Sequence, residues 1–98
     1  MAKVLFTTKY TIDESKVNEY LNLIEELKLH FAQKENVKLE VFKIKSKANT
    51  YQENYEYADE SVWESADEEY DERYEALMSK LSDMIIPKST EISTMVEL

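Results

Sequence analysis

The stretch YQENYEYADESVWESADEEYDERYEALMSKL, residues 51–81, decides the fold of this 98-residue chain. Residues 51–58 are rich in tyrosine and alternate as a strand, and residues 58–61 have the composition of a turn. Trp63 then opens a helical pattern, in which apolar or aromatic residues recur every three or four positions as far as Leu81. The stretch holds the only Trp, five of the seven Tyr and most of the negative charge. It predicts a strand followed by a helix, and it is where we look for a site.

The segments on either side extend this pattern into a complete fold. Residues 3–12 are rich in β-branched and aromatic residues, and Asp13 has the position of a helix N-cap. Asn36 is expected to close that helix in the left-handed conformation, and Pro87 to end the second helix before a last alternating strand. The spacing predicts strands at 3–12, 37–46, 50–58 and 90–98 and helices at 13–33 and 61–84. This βαββαβ order predicts one domain over residues 1–98, an α+β ferredoxin-like plait in which both helices cover one face of a four-stranded antiparallel sheet.

The turn between the second and third strands leaves two registers open. Asn49 is the residue expected to take a positive φ there. A turn of two or four residues places Phe42 and Ile44 on the tyrosine-bearing face of the third strand. A turn of three residues places Leu39 and Val41 on that face instead. The sequence does not choose between these registers.

The second strand also changes its apolar face partway along, at Phe42 and Ile44. One helix-covered face has little room for these residues together with the tyrosines of the third strand, so the second sheet face is expected to be an interface. The sequence therefore predicts a homodimer whose two sheets face each other. The candidate interface residues are Phe42, Ile44, Tyr51, Tyr55 and Tyr57.

Composition excludes several classes of function. Without glycine the chain has no phosphate-binding loop, dinucleotide fingerprint or nucleophile elbow, and without cysteine it has no disulfide or thiolate metal site. Residues 1–50 carry nine Lys against seven acids, whereas residues 51–98 carry three basic residues against fourteen acids, for a net charge of −9. Such an acidic protein is not expected to bind nucleic acid. Its apolar runs are too short for a membrane span, so we expect a cytoplasmic protein that does not contact membranes.

Two short motifs carry a resemblance to a known family. Tyr55-Glu56-Tyr57 on a strand, followed by Trp63-Glu64-Ser65-Ala66 at the start of a helix, resembles the antibiotic-biosynthesis-monooxygenase-like group of the dimeric α/β-barrel superfamily. The likeness in strand and helix plan covers nearly the whole chain. It implies a dimeric barrel that binds a small planar phenol and oxidises it without a prosthetic group. The functional Asn and His of the haem-degrading branch are replaced by Thr7 or Thr8 and by Arg73, so haem degradation is not implied.

The candidate ligand site follows from the aromatic stripe of the second helix. Trp63, Tyr70 and Tyr74 share a helix face and can line a flat pocket against the sheet, although such a stripe is also typical of a core. Arg73 can hold a phenolate or carboxylate, or can pair with a neighbouring acid. His30 lies at a helix end, where the helix dipole favours a cation. The acids of the second helix spread around it, so neither a metal nor another cofactor is expected. The candidate ligand-binding residues are Trp63, Tyr70, Tyr74, Arg73, Tyr55 and Asn54.

Two functions fit these patterns. The first is a small dimeric barrel that binds a planar aromatic ligand, as a cofactor-independent monooxygenase-like enzyme. The second is a non-catalytic dimerisation or binding module whose tyrosine-rich sheet pairs with its twin. A sensor of amino acids on the same fold is disfavoured because it would need glycine at the turns around its ligand. The sequence identifies neither a catalytic residue nor a substrate.

Overall fold

The computed structural model describes residues 2–68 and 71–98. The four strands form one antiparallel sheet in the order β2-β3-β1-β4, with the helices packed on one face, so the predicted α+β ferredoxin-like fold is confirmed. A short 3₁₀ turn precedes the first helix. The elements are β1 (Val4–Thr11), the 3₁₀ turn (Glu14–Lys16), α1 (Val17–Ala32), β2 (Val37–Lys43), β3 (Thr50–Tyr57), α2 (Glu60–Glu68), α3 (Glu72–Ser82) and β4 (Glu91–Val96).

The predicted second helix, residues 61–84, is wrong as a single element, because α2 and α3 are separate helices. Asp71 is the N-cap of α3: its backbone is extended and its side chain accepts a hydrogen bond from the Tyr74 N–H at 3.0 Å. An aspartate in this position favours a new helix start over continuation of the old one. The predicted N-cap Asp13 accepts a backbone N–H bond from Ser15 at 2.9 Å, and Asp59, just before α2, accepts one from Val62 at 3.0 Å.

Of the two residues predicted to have a positive φ, one does and the other does not. Asn49 has a φ of 55°, as predicted, in the turn between β2 and β3. The left-handed conformation predicted at Asn36 is wrong, because α1 ends at Ala32 with Gln33 still in the right-handed helical region. Among the described residues the other positive φ belongs to Lys88, at 67°, directly after the proline that follows α3.

The register of β3 defines the two faces of the sheet. Tyr55 lies opposite Phe6 of β1 and Leu39 of β2, and Glu53 lies opposite Val41 of β2. Of the two predicted alternatives, the one that places Leu39 and Val41 with the tyrosines is therefore the observed one. The same face carries Tyr10, opposite Tyr51. The helices cover this face, which we call the covered face, and its buried residues join those of α1 and α3 in the core.

The opposite face of the sheet is mainly polar, and we call it the open face. It does not carry the tyrosines of β3. β2 continues in register to Lys43 without a bulge, so Phe42 lies opposite Gln52 and is 49% exposed. The apolar side chains of this face are thinly spread over three strands. The open face consists of Lys38, Glu40 and Phe42 of β2, Thr50, Gln52, Asn54 and Glu56 of β3, Leu5, Thr7, Lys9 and Thr11 of β1, and Glu91, Ser93 and Met95 of β4.

Candidate functional site

A carboxylate lies at the centre of the covered face. Glu53 is on β3, one of the two central strands, and is 0% exposed. Its two carboxylate oxygens accept hydrogen bonds from the hydroxyls of Tyr10, on β1, and Tyr55, on β3. Glutamate is seldom buried unless its charge is matched by hydrogen bonds or an ion pair. Here two tyrosine hydroxyls take the place of an ion pair.

Two further tyrosines extend this arrangement from the helices. The Tyr20 hydroxyl, on α1, lies 2.8 Å from the Tyr10 hydroxyl. Tyr74, on α3, lies beside Tyr55, since the Phe31 ring packs against the rings of both. We call these five residues, Glu53 with Tyr10, Tyr20, Tyr55 and Tyr74, the Glu53 cluster. No described buried side-chain oxygen or nitrogen is left without a hydrogen-bond partner, so the cluster is fully satisfied.

The protons of the Glu53 cluster have a defined order when the carboxylate is ionised. A phenol has one proton, and Tyr10 and Tyr55 both donate theirs to Glu53. The Tyr10 oxygen must then accept from Tyr20. The hydroxyls of Tyr20 and Tyr10 therefore point in series toward Glu53 from α1 and β1, and the Tyr55 hydroxyl points toward it from β3.

Burial and charge shift the acidity of every member of the Glu53 cluster. Burial raises the pKa of Glu53, and the hydrogen bonds from Tyr10 and Tyr55 offset only part of that rise. Burial and the neighbouring Glu53 charge raise the pKa of both Tyr10 and Tyr55 far above the ordinary phenol value. Burial likewise raises the pKa of Tyr20 and Tyr74. The tyrosines stay protonated, and the glutamate is moved toward the range in which a carboxylate acts as a general base near neutral pH.

Phe31 of α1 packs against both Tyr55 and Tyr74. Its ring centroid lies 5.3 Å from that of Tyr55 and 5.6 Å from that of Tyr74, both in edge-to-face geometry. Phe6 contacts Tyr55 from β1, with centroids 6.0 Å apart. Such contacts fix the planes of the rings. Tyr55 and Tyr74 are therefore held in place by aromatic packing.

A polar cluster at the start of α3 fixes the backbone that carries Tyr74. Asp71 accepts from the Tyr74 N–H through one oxygen, and its other oxygen lies 2.7 Å from His30 Nε2 and 3.2 Å from Lys34 Nζ. Burial alone would raise the pKa of Asp71, but these three partners outweigh it and lower the pKa to about 2. His30 is thus a partner of the α3 cap, consistent with the structural role expected for it.

The predicted ligand-binding residues divide between the two faces of the sheet and the outside of the helices. Tyr55 and Tyr74 come together in the Glu53 cluster, and Trp63 lies half-buried on α2, which packs against β3. Asn54 lies on the open face, where it accepts a hydrogen bond from Gln52 at 2.9 Å. Arg73 is 53% exposed and pairs with Glu26 of α1 at 3.6 Å. The prediction for Tyr70 lies outside the described residues.

The predicted tyrosine interface is wrong for the two tyrosines that lie deepest. Tyr51 and Tyr55 are 7% and 2% exposed beneath the helices, and Tyr57 is on the same covered face. The reason is the register: it puts the tyrosines with Leu39 and Val41 and leaves Phe42 on the open face. Of the predicted interface residues, Phe42 is on the exposed part of the open face, and Ile44 follows the end of β2.

A shallow groove runs along the outer edge of the sheet, between α1 and β2. Its volume is about 390 Å³. Its lining includes Val41 and Tyr51 of the covered face and charged residues of α1 and β2. It is lined by Tyr20, Leu21, Asn22, Ile24, Glu25, Lys28, Val41, Phe42, Lys43 and Tyr51.

The described part of the chain offers no metal site and no membrane span. Residues 2–68 and 71–98 contain no group of three or more His, Asp or Glu side chains that could hold a metal ion. No helix within those ranges is long and apolar enough to cross a membrane.

Glu53 is the functional candidate that the sequence analysis missed. The visible pattern was Tyr51, Glu53, Tyr55 and Tyr57 at alternate positions, which puts an acid on the same strand face as three aromatics. An acid at such a position is ordinarily assigned to the solvated face, because a buried carboxylate needs partners. Its partner Tyr10 is 43 residues away in sequence, so only the fold brings the two together.

Comparison with known proteins supports the fold. No protein-family model and no curated protein matches the chain. Among solved structures, a conserved protein from Methanosarcina mazei is 20% identical with a TM-score of 0.83, covering 97% of this chain and 92% of its own. An antibiotic biosynthesis monooxygenase is 16% identical with a TM-score of 0.76, covering 97% and 96%. SnoaB, a cofactor-independent oxygenase from Streptomyces nogalater, is 14% identical with a TM-score of 0.74, covering 95% and 90%.

The chain therefore has the fold of the antibiotic-biosynthesis-monooxygenase-like proteins, as its sequence motifs predicted. Identities this low establish a common fold.

Proposed function

We propose that this protein binds a small planar aromatic ligand and acts on it as a cofactor-independent monooxygenase-like enzyme. The observation that carries the proposal is the Glu53 cluster, a buried carboxylate with a raised pKa, held by tyrosines beneath the helices. An oxygenase without a cofactor needs little more from its protein than a dry aromatic site and a base that helps to ionise the substrate. SnoaB, which has the same fold, is such an oxygenase.

The ligand would lie where α2 and α3 meet the covered face. Trp63 of α2 and Tyr74 of α3 are each half-buried, so each has surface available for contact with an aromatic ring. Stacking on such side chains recognises planar ligands by shape. In this arrangement Tyr55 supports Tyr74 from beneath and does not itself contact the ligand, because it is nearly fully buried.

A thermal-shift screen against planar phenols, followed by oxygen uptake with each ligand that binds, tests the proposal. A ligand at a hundred times its dissociation constant should stabilise the protein by about 2.7 kcal/mol, a rise of several degrees for a domain of this size. Trp63→Ala should remove the shift. Leu29→Ala, an exposed change on the outer side of α1, is the matched control and should leave it. A phenol set that produces neither a shift nor oxygen uptake would contradict the proposed function.

The second candidate, a dimerisation module, is favoured by the exposed apolar residues of the sheet. Phe42 and Met95 lie on the open face and are 49% and 46% exposed. Ile92 of β4 is on the covered side, beyond the reach of the helices, and is 65% exposed. A second copy of the chain laid sheet to sheet would bury the open-face pair and its polar neighbours.

Light scattering of the purified protein tests this arrangement. We expect a homodimer that Phe42→Asp dissociates, because a carboxylate would be placed in the sheet interface. Leu29→Asp introduces the same charge at an exposed leucine on α1 and should leave the dimer intact. A monomeric wild-type protein, or equal effects of the two substitutions, would argue against sheet-to-sheet pairing.

A further inference from the structure

We propose that the groove between α1 and β2 is a second binding site, which takes a small aromatic carboxylate. Its lining includes neither Trp63 nor Tyr74, so it is separate from the place proposed for the phenolic ligand and does not depend on that function. Its volume of about 390 Å³ lies within the range of small-molecule sites, roughly 300–1,000 Å³. The class of ligand follows from the apolar side chains of the lining and from its charge.

Three residues of the groove lining belong to the buried core. Tyr20 and Ile24 of α1 and Tyr51 of β3 are 0%, 5% and 7% exposed. The rings of Tyr20 and Tyr51 have their centroids 4.5 Å apart, and Val41 of β2 packs against the same core. Side chains fixed by core packing need not move when a ligand arrives, so the groove is formed before it is occupied.

Two partly exposed apolar residues border the groove from opposite elements. Leu21 of α1 and Phe42 of β2 both line it and are 48% and 49% exposed. An aromatic ring placed between α1 and β2 would remove part of both side chains from water, which is favourable. The ring of Phe42 can also stack on a planar ligand or meet its edge. An aromatic molecule therefore has surface to bury on both sides of the groove.

The charged residues of the lining leave one positive charge without a partner. Lys28 and Glu25, both on α1, pair at a distance of 3.9 Å. Lys43 is the last residue of β2 and lies opposite Tyr51. Within the part of the chain that the structure describes, no ion pair includes Lys43, although the whole chain has a net charge of −9. An uncompensated ammonium beside an apolar groove favours a ligand with one carboxylate.

Lys43 continues a row of apolar residues on the covered side of β2. Val37, Leu39 and Val41 precede it at alternate positions and pack against the core. Lys43 itself is exposed, and a lysine in such a position can lay its aliphatic stem along apolar surface while its ammonium stays in water. A ligand carboxylate that meets it there keeps part of its hydration, so the ion pair costs little desolvation. The ligand would therefore place its ring in the groove and its charge at the edge.

Calorimetric titration with 2-naphthoate and with its neutral analogue 2-naphthamide tests the role of the charge. The wild-type protein should bind naphthoate more tightly than naphthamide. Lys43→Gln should weaken naphthoate binding about two- to fivefold, as expected for a partly exposed ion pair, and leave naphthamide binding unchanged. The four affinities form a double-mutant cycle that isolates the contact between Lys43 and the carboxylate. Lys38→Gln removes the same charge from the open face of β2 and is the matched control, which should leave both affinities unchanged.

A second pair of variants tests the apolar contact and the place of binding. Leu21→Ala should weaken the binding of both ligands, because it removes apolar surface from the lining. Leu29→Ala changes an exposed leucine of the same helix that does not line the groove, and it should leave both affinities unchanged. Trp63→Ala should also leave them unchanged, in contrast to its expected effect on the planar phenols. Leu21 is preferred to Phe42 here, because Phe42 is also a candidate residue of the sheet-to-sheet dimer.

Four results would overturn the proposal, and each leaves the proposed function standing. The first is the absence of naphthoate binding. The second is equal affinity for the two ligands, or equal losses in Lys43→Gln and Lys38→Gln, since the charge would then have no local role. The third is binding that is lost in Trp63→Ala and kept in Leu21→Ala, which would place the ligand at the site proposed for phenols. The fourth is a dimer that Leu21→Ala dissociates in light scattering while naphthoate does not bind, which would show that a second copy of the chain occupies the groove.

Discussion

The two faces of the sheet place neighbouring polar residues of β3 in different environments. Glu53 and Asn54 are adjacent on β3, yet Glu53 is buried beneath the helices and Asn54 is paired with Gln52 on the open face. On the covered face, polar atoms are few, and every buried side-chain oxygen or nitrogen of the described residues has a hydrogen-bond partner. On the open face they are numerous, and many lie near water. The described groups whose pKa is raised therefore lie on the side of the sheet from which the helices exclude water. The aromatic content of a strand does not by itself identify an interface.

The reason lies in the energy of burial. A carboxylate moved out of water is strongly destabilised unless hydrogen bonds replace its hydration. The tyrosines of the covered face supply those hydrogen bonds and also bury large apolar rings. The same tyrosines on the open face would have left their rings exposed and Glu53 without partners.

The largest expected difference between the faces is in stability. Tyr55→Ala should lower the free energy of unfolding by about 3–5 kcal/mol, because it leaves a cavity and removes a hydrogen bond to Glu53. Urea unfolding followed by circular dichroism measures it. Asn54→Ala, on the other face of the same strand, is the control and should change the free energy by no more than about 0.5 kcal/mol.

A large loss of unfolding free energy in Asn54→Ala would contradict the expected difference in stability between the two faces. It would mean that the open face is covered in solution, and the midpoint of unfolding should then depend on protein concentration, as expected for a dimer.

The next expected effect concerns pH. The pKa of Glu53 is raised above its ordinary value of 4.5, so the folded protein binds this proton more tightly than the unfolded chain does. Stability is therefore greatest below pH 4.5 as far as this group is concerned, and it falls as pH rises through the raised folded pKa. Glu53→Gln should remove that fall, and at acidic pH should cost about 1–3 kcal/mol for the mismatched hydrogen bonds. Urea midpoints across the pH range provide the measurement.

Asp71→Asn is the control, because the pKa of Asp71 is shifted in the opposite direction to that of Glu53. The pKa of Asp71 is lowered from 3.8 to about 2, so its contribution is present above pH 3.8 and is lost as pH falls toward 2. The asparagine variant should lose this acid-side dependence and keep the one due to Glu53. A wild-type profile without any decline above pH 4.5 would contradict the assignment of Glu53.

The sequence predicted the fold well because the fold depends on local patterns. The strand and helix periods, the N-cap residue Asp13 and the positive φ of Asn49 are all properties of short segments. The break before α3 was missed because the apolar stripe continues across it, while one side chain, Asp71, restarts the helix. Helix propensity and the apolar pattern do not show that a single N-cap residue ends one helix and starts the next.

The site was predicted only in part, for a related reason. Tyr55 and Tyr74 were selected from their aromatic character, but the residue that gives them a chemical role, Glu53, lies in a strand whose register the sequence left open. A shift of one residue would have moved Glu53 and the β3 tyrosines together to the open face and put Gln52 and Asn54 beneath the helices. Contacts between residues far apart in sequence, such as that between Glu53 and Tyr10, carry no local pattern.

The smallest expected effect belongs to Arg73, on the outer side of the helices. Its ion pair with Glu26 is 3.6 Å long and both side chains are about half exposed, so Arg73→Ala should change the free energy of unfolding by about 0–1 kcal/mol. Lys34→Ala is the comparison, because Lys34 contacts the less exposed Asp71 at 3.2 Å, and it should have the larger effect. Phenol binding should be unchanged in Arg73→Ala, as measured by calorimetry. A loss of ligand affinity in that variant would place a binding contact at the one arginine of the chain, and the covered face would then share the site with the exposed side of α3.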